Sequence, residues 1–198
     1  MPQLPPVTKA LMLICTALFC VQQLFGFWIE ALFALWPLGS GHFMPWQVIS
    51  YAFLHGDATH LFFNMLGLWM FGSEIEQIWG RQRYMHFLVA SAVAGALAQM
   101  VMGALLPMGP TLGASGALYG LLLAFGMMFP DRIIMPLFPP IPMKAKYFVM
   151  LFGGIELAMG LFGRSGVAHF AHLGGMLGGW LMIRFWRGQS PFPPRRRR

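Results

Sequence analysis

The chain has 198 residues, of which 58% are hydrophobic and 10% charged, whereas a soluble domain of this size carries about 25% charged residues. That balance excludes a water-solvated globule and makes lipid the solvent for most of the surface. The net charge of +7 is concentrated in the tail Arg195, Arg196, Arg197 and Arg198, which reads as a cytoplasmic flank facing anionic headgroups rather than as a nucleic-acid site.

Six apolar segments are predicted, within one domain spanning residues 1–198, with a core over about 9–187 and a basic tail over 188–198. The first helix runs from Lys9 to Ile29 and is read as a retained span, because it lacks a small-residue cleavage site. Its two cysteines, Cys15 and Cys20, face different directions and imply neither a disulfide framework nor a metal site. A long connection follows, from Glu30 to Thr59. It is apolar but broken by Pro37, Gly39, Gly41 and Pro45, with Trp28, Trp36 and Trp46 in or beside it. Such a segment suits an element lying in the membrane interface. The second helix is expected over Thr59–Trp79, the third over Tyr84–Leu106, the fourth over Ser115–Phe129, the fifth over Lys146–Phe162 and the sixth over Val167–Trp186. Pro130 and Asp131 stop the fourth.

Of the 13 Lys and Arg residues, all but Arg164 fall on one side of this topology. The bias puts both termini in the cytoplasm. The Pro107–Ala114 and Gly163–Gly166 loops then face outward. As a helix, Ser115 to Phe129 spans about 21 Å at 1.5 Å per residue, against a hydrocarbon core of about 30 Å. Ser115 therefore lies below the outer surface. The Pro- and Gly-broken run before it is tolerated at that depth only inside protein or beside a water-filled cavity. The sequence implies a wet pocket, opening outward, with Ser115 on its floor.

A serine needs a base to act as a nucleophile. His86 lies at the wrong end of its helix, and His42 is in the first connection. His169 and His172 sit in the first turns of the sixth helix, at the depth of Ser115. The face of His172 continues with Gly175 and Gly179, and the fourth helix offers the matching small stripe Gly116, Gly120 and Ala124. Close packing of these stripes would hold Ser115 and His172 in register, with Tyr119 against the imidazole. No carboxylate has an evident claim as a third member: Glu156 falls about two helical turns deeper than Ser115, so a Ser-His dyad is expected. Oxyanion donors are available from the backbone N–H of Ser115 at a helix start. His60 and Asn64, which share a face of the second helix, add side-chain donors. His169-x-x-His172 and His55 with His60 are weighed as zinc ligands, but no acidic residue completes a set and no metal or cofactor is expected.

Together these residues resemble the rhomboid family of intramembrane serine proteases, over about Trp46 to Trp180. Gly113-Ala114-Ser115-Gly116 resembles the family's nucleophile motif. Ala171-His172-Leu173-Gly174-Gly175, continuing to Gly179, resembles its base helix. His60-Leu61-Phe62-Phe63-Asn64 resembles its oxyanion pair, and His55 fits a further histidine five residues ahead. Gly72-Ser73-Glu74-Ile75-Glu76, then Gly80 and Arg83, resembles its signature after the second helix. The resemblance implies an all-α polytopic bundle of six transmembrane helices with a membrane-associated first loop. It implies a small bacterial-type member in the inner (cell) membrane that hydrolyses transmembrane-protein substrates near their outer ends. Ser115 would attack, and His172 would act as base. His60, Asn64 and the Ser115 N–H would hold the oxyanion, while Tyr119, Gly113, Gly116, Gly175, Gly179 and His55 would support them. Glu76 and Arg83 would be structural, at the cytoplasmic rim. Trp46-Gln47 departs from the Trp-Arg that many bacterial members carry, which leaves open how the loop is held. Two other readings are a client-binding relative without catalysis and a small transporter. The chain retains both Ser115 and His172, against the first, and has no internal repeat, against the second.

Overall fold

The computed structural model describes residues 4–137, 140–163 and 168–189. Arg164 and most of the expected basic tail lie outside these residues. Among the described residues the chain forms six helical rods. Three of them, α1 (Pro6–Phe33), α5 (Arg81–Gly103) and α7 (Ala145–Phe162), are each long and apolar enough to cross a membrane. Large apolar side chains such as Phe27, Leu24 and Phe162 point outward, more than three-quarters exposed. The architecture is an all-α polytopic membrane bundle with lipid as its outer solvent.

Helix α1 exceeds its predicted span at both ends. Pro6 opens it, at a position where the missing N–H costs nothing. Its first turn is capped from elsewhere in the chain. Glu76 accepts from Val7 N at 2.9 Å, Thr8 N at 2.7 Å and Thr8 Oγ1 at 2.8 Å. A carboxylate at a helix start meets both the orphan amides and the positive end of the dipole. Glu76 is structural as expected. The amides it binds belong to the start of α1.

The connection after α1 contains short helix α2 (Gln47–Ser50). Gln47 is fully buried and pins the loop upon itself. Its Oε1 accepts from Trp36 N at 3.3 Å and Met44 N at 3.1 Å; its Nε2 donates to His42 O at 3.1 Å and Leu32 O at 3.4 Å. The open question of how the loop is held without arginine is thereby answered. An amide both donates and accepts, which the donor-only guanidinium cannot do.

The second rod is continuous through α3 (Ala58–Gly67), a π-helical segment (Leu68–Gly72) and α4 (Ser73–Trp79). Asp57 caps its start by accepting from His60 N at 2.8 Å. Gly80, at φ +76°, turns the chain directly into α5, so the third helix begins and ends three residues earlier than predicted. Arg83 lies over the Trp186 ring at 4.9 Å. Helix α6 (Ser115–Met128) matches its prediction closely. The loop after it departs from a purely helical reading. Ile133–Ile134 (β1) pairs antiparallel with Met143–Lys144 (β2), and Asp131 holds Lys144 at 3.1 Å and Lys146 at 2.9 Å.

Helix α8 (His169–Trp186) packs closely against both α5 and α6. Two glycine pairs on adjacent faces permit this. A Cβ on Gly174 would meet Ala94 O of α5 at 2.6 Å, and one on Gly178 would meet Ala94 Cβ at 2.4 Å. A Cβ on Gly175 would meet Gly116 O of α6 at 1.9 Å, and one on Gly179 would approach Gly120 Cα at 3.2 Å. The predicted α6 contact is present. The equally close contact with α5, to which Gly95 also contributes by lying under Ala171 O, was not legible from a single small-residue stripe.

Candidate active site

The position of Ser115 is set by the irregular chain before it. Thr111 and Leu35 exchange backbone hydrogen bonds at 2.8 and 2.9 Å, tying this loop to the end of α1. Gly113 N donates to Tyr51 O at 2.9 Å, and Tyr51 Oη donates to Ala92 O of α5 at 2.8 Å. Tyr51 thus links three segments. It went unnoticed in the sequence because no motif marks it. Gly113 has φ +126°, and a Cβ there would sit 2.7 Å from the His60 ring and 3.5 Å from Ser115 Oγ. Only glycine lets the His60 imidazole lie over this turn beside the serine.

Ser115 opens α6, so its N–H and that of Gly116 belong to the unsatisfied first turn. Its Oγ lies 2.7 Å from Nε2 of His172, one turn into α8. The Tyr119 ring stacks on the imidazole with centroids 4.3 Å apart and planes 9° from parallel. Asn64 is buried; its Nδ2 donates to His60 O at 2.8 Å, leaving Oδ1 without a partner. Gly56 N donates to His60 Nδ1 at 3.4 Å. His55 is buried edge-on to His60 at 5.2 Å, with its backbone held by Gln22 and neither ring nitrogen paired. Ser115, His172, His60, Asn64 and Tyr119 all line one open cleft of about 1650 Å³.

One expectation is overturned. Glu156 of α7 is not remote from the base. Its Oε2 lies 2.9 Å from Nδ1 of His172 and 2.5 Å from Nδ1 of His169, and Tyr119 Oη donates to its Oε1. The His172 contact is close but lies off the axis of an aligned hydrogen bond, whereas the His169 contact is aligned. The expectation fails because the side chains of Tyr119, His169 and His172 reach the Glu156 carboxylate where α6, α7 and α8 pack together. The signal that would have found it is an acid inside a membrane helix, which is costly and collects donors. Glu156, His169 and His172 also offer three ligand atoms within 4.8 Å of one another, so the acidic residue missing from the zinc reading is present. Its carboxylate is hydrogen-bonded by Tyr119 and His169 and lies beside His172 Nδ1.

A serine hydroxyl 2.7 Å from an imidazole at a helix start, in an open cleft, has the geometry that acyl transfer requires. The sequence matches the Rhomboid domain over residues 42–188. It is 36% identical over 139 residues to the mitochondrial Rhomboid protein 1 of Saccharomyces cerevisiae, covering 68% of this chain and 40% of that protein. It is 28% identical over 187 residues to the Rhomboid protease GlpG of Yersinia pestis, covering 93% of this chain and 63% of the relative. The chain thus spans less than two-thirds of the length of these curated relatives. The family match extends beyond the segment bearing the motifs and takes in the later part of the first connection and all of α8, and on it the chain belongs to the rhomboid family.

Proposed function

We propose that this chain is an intramembrane serine endopeptidase that hydrolyses peptide bonds in or near transmembrane segments of other membrane proteins. The observation that carries this reading is the 2.7 Å approach of Ser115 Oγ to His172 Nε2 at the head of α6. The name of the Yersinia relative, a rhomboid protease, supports it. The unit is a single membrane domain with its core over about 9–187, in a bacterial inner membrane. Both termini are cytoplasmic and the cleft opens to the outer face in this reading, which the Lys and Arg distribution supports.

The chemistry follows from the contacts. Ser115 Oγ attacks the scissile carbonyl carbon as its proton passes to His172 Nε2. The oxygen that becomes negative is met by the Ser115 N–H and by His60 and Asn64, whose Nδ2 must turn from the His60 carbonyl to reach it. Collapse breaks the C–N bond, and the Nε2 proton goes to the departing amine. Water then attacks the acyl ester, giving one proton to Nε2, which returns it to Ser115 Oγ as the acid product leaves. Tyr119 holds the ring plane. Gly113, Gly116, Gly175 and Gly179 supply the close approaches, and His55 backs His60.

The test is incubation of the purified protein with a panel of single-span membrane substrates, beside Ser115→Ala and His172→Ala. Both variants should fold and lose cleavage. Cleavage that survives Ser115→Ala overturns the reading. A serine-directed fluorophosphonate should label Ser115 selectively, which a client-binding protein without catalysis would not permit.

A further inference from the structure

We propose that Glu156 is the positioning residue of the His172 base, completing a Ser115–His172–Glu156 relay across three helices. This rests on the serine endopeptidase reading above and assigns a third member to the same site.

If Ser115 Oγ–H donates to Nε2 at 2.7 Å, the neutral ring carries its proton on Nδ1. That atom is buried, and an N–H with no acceptor there would favour the wrong tautomer. The group within reach is the Glu156 carboxylate, at 2.9 Å. When the Ser115 proton moves to Nε2, the ring becomes a cation, and an ionised carboxylate beside it stabilises that charge without taking the proton. The Nδ1 proton stays on Nδ1 throughout. The off-axis contact in the resting protein is the looser geometry expected before substrate binds.

The rest of the network fixes the carboxylate. Tyr119 Oη donates to Oε1, and the Tyr119 ring stacks on His172, so a single side chain orients both the acid and the base. His169 Nδ1 holds Oε2 at 2.5 Å from the preceding turn of α8. Were Glu156 only fastening α7 to the bundle, Tyr119 and His169 would suffice. The third contact falls on the ring whose other nitrogen holds the nucleophile.

The test compares Glu156→Gln and Glu156→Asp with the parent in steady-state cleavage of a single-span substrate in proteoliposomes, with thermal unfolding in parallel. Glu156→Gln should lower kcat by about 10²- to 10⁴-fold, the upper figure being that of a fully aligned triad, with KM and the unfolding temperature little changed. Glu156→Asp, which keeps the charge at shorter reach, should recover part of the loss. A kcat for Glu156→Gln within threefold of the parent, or an effect on KM alone, overturns the proposal. If Glu156→Gln does not fold, Glu156→Asp decides: a lowered kcat at unchanged KM supports the relay, and a parental kcat overturns it. Failure of both to fold assigns the network to structure alone. Cleavage surviving in Ser115→Ala would overturn the peptidase reading itself, whereas cleavage lost there but intact in Glu156→Gln removes only the carboxylate.

Discussion

Substituting Gly175 by alanine tests whether the α6–α8 contact sets the site. The added Cβ would lie 1.9 Å from Gly116 O and 2.6 Å from Gly116 C, where ordinary contact begins at 3.4 Å. Backbone cannot rotate away as a side chain can, so the helices must part by about 1.5 Å. Gly116 follows Ser115, and Gly175 lies one turn after His172. The separation therefore passes almost undiminished to the 2.7 Å nucleophile–base contact and stretches it to about 4 Å, beyond a hydrogen bond. A misplacement of about 1 Å costs on the order of 10²-fold in rate, and overpacking of this kind costs about 1–3 kcal/mol of stability. The assay is cleavage of a single-span substrate by the purified variant, with thermal unfolding recorded in the same detergent. We expect at least a hundredfold loss of kcat and a lower unfolding temperature. Gly154→Ala on α7 is the control: nothing lies within 4 Å of its would-be Cβ, and both readouts should match the parent. Parental cleavage by Gly175→Ala would refute the reasoning, because it would mean that helix spacing does not govern the pair.

Other outcomes follow from the same contacts. Gln47→Leu strands two backbone N–H groups and two carbonyls of the first connection and should lower stability by about 2–4 kcal/mol in thermal unfolding. Gln47→Arg should also destabilise, because arginine cannot accept from Trp36 and Met44; a more stable Gln47→Arg protein would contradict the pinning role. Glu76→Ala removes three bonds to the start of α1 and should cost about 2 kcal/mol or more, with Thr8→Val costing less; equal unfolding temperatures for all three proteins would count against the cap. Lys146 and then Lys144 hold the Asp131 carboxyl below its usual range, so the stability from that contact is present at neutral pH and lost as pH falls through the depressed value. The group is exposed, so that contribution is small: Asp131→Asn should leave cleavage unchanged and lower the neutral-pH unfolding temperature only slightly, with the difference from the parent vanishing at low pH.

The sequence by itself determined the class of the protein and which residues would gather around Ser115. Hydropathy and the interruptions by Pro and Gly place the helices, because lipid forbids unsatisfied backbone and leaves few alternatives. Ser115 and His172 were legible because each heads a run of small residues, Gly116 and Gly120 on α6 and Gly175 and Gly179 on α8, that lets the two helices approach closely. Tertiary structure decided what local pattern does not encode. Glu156 was misplaced because its partners lie on α6 and α8, and which side chains meet it is a relation between helices rather than within one. Tyr51, the role of Gln47 and the second glycine face of α8 were not legible for a related reason. A buried tyrosine, a glutamine or a glycine has many equivalent uses, and only the backbone group it meets across the bundle selects one.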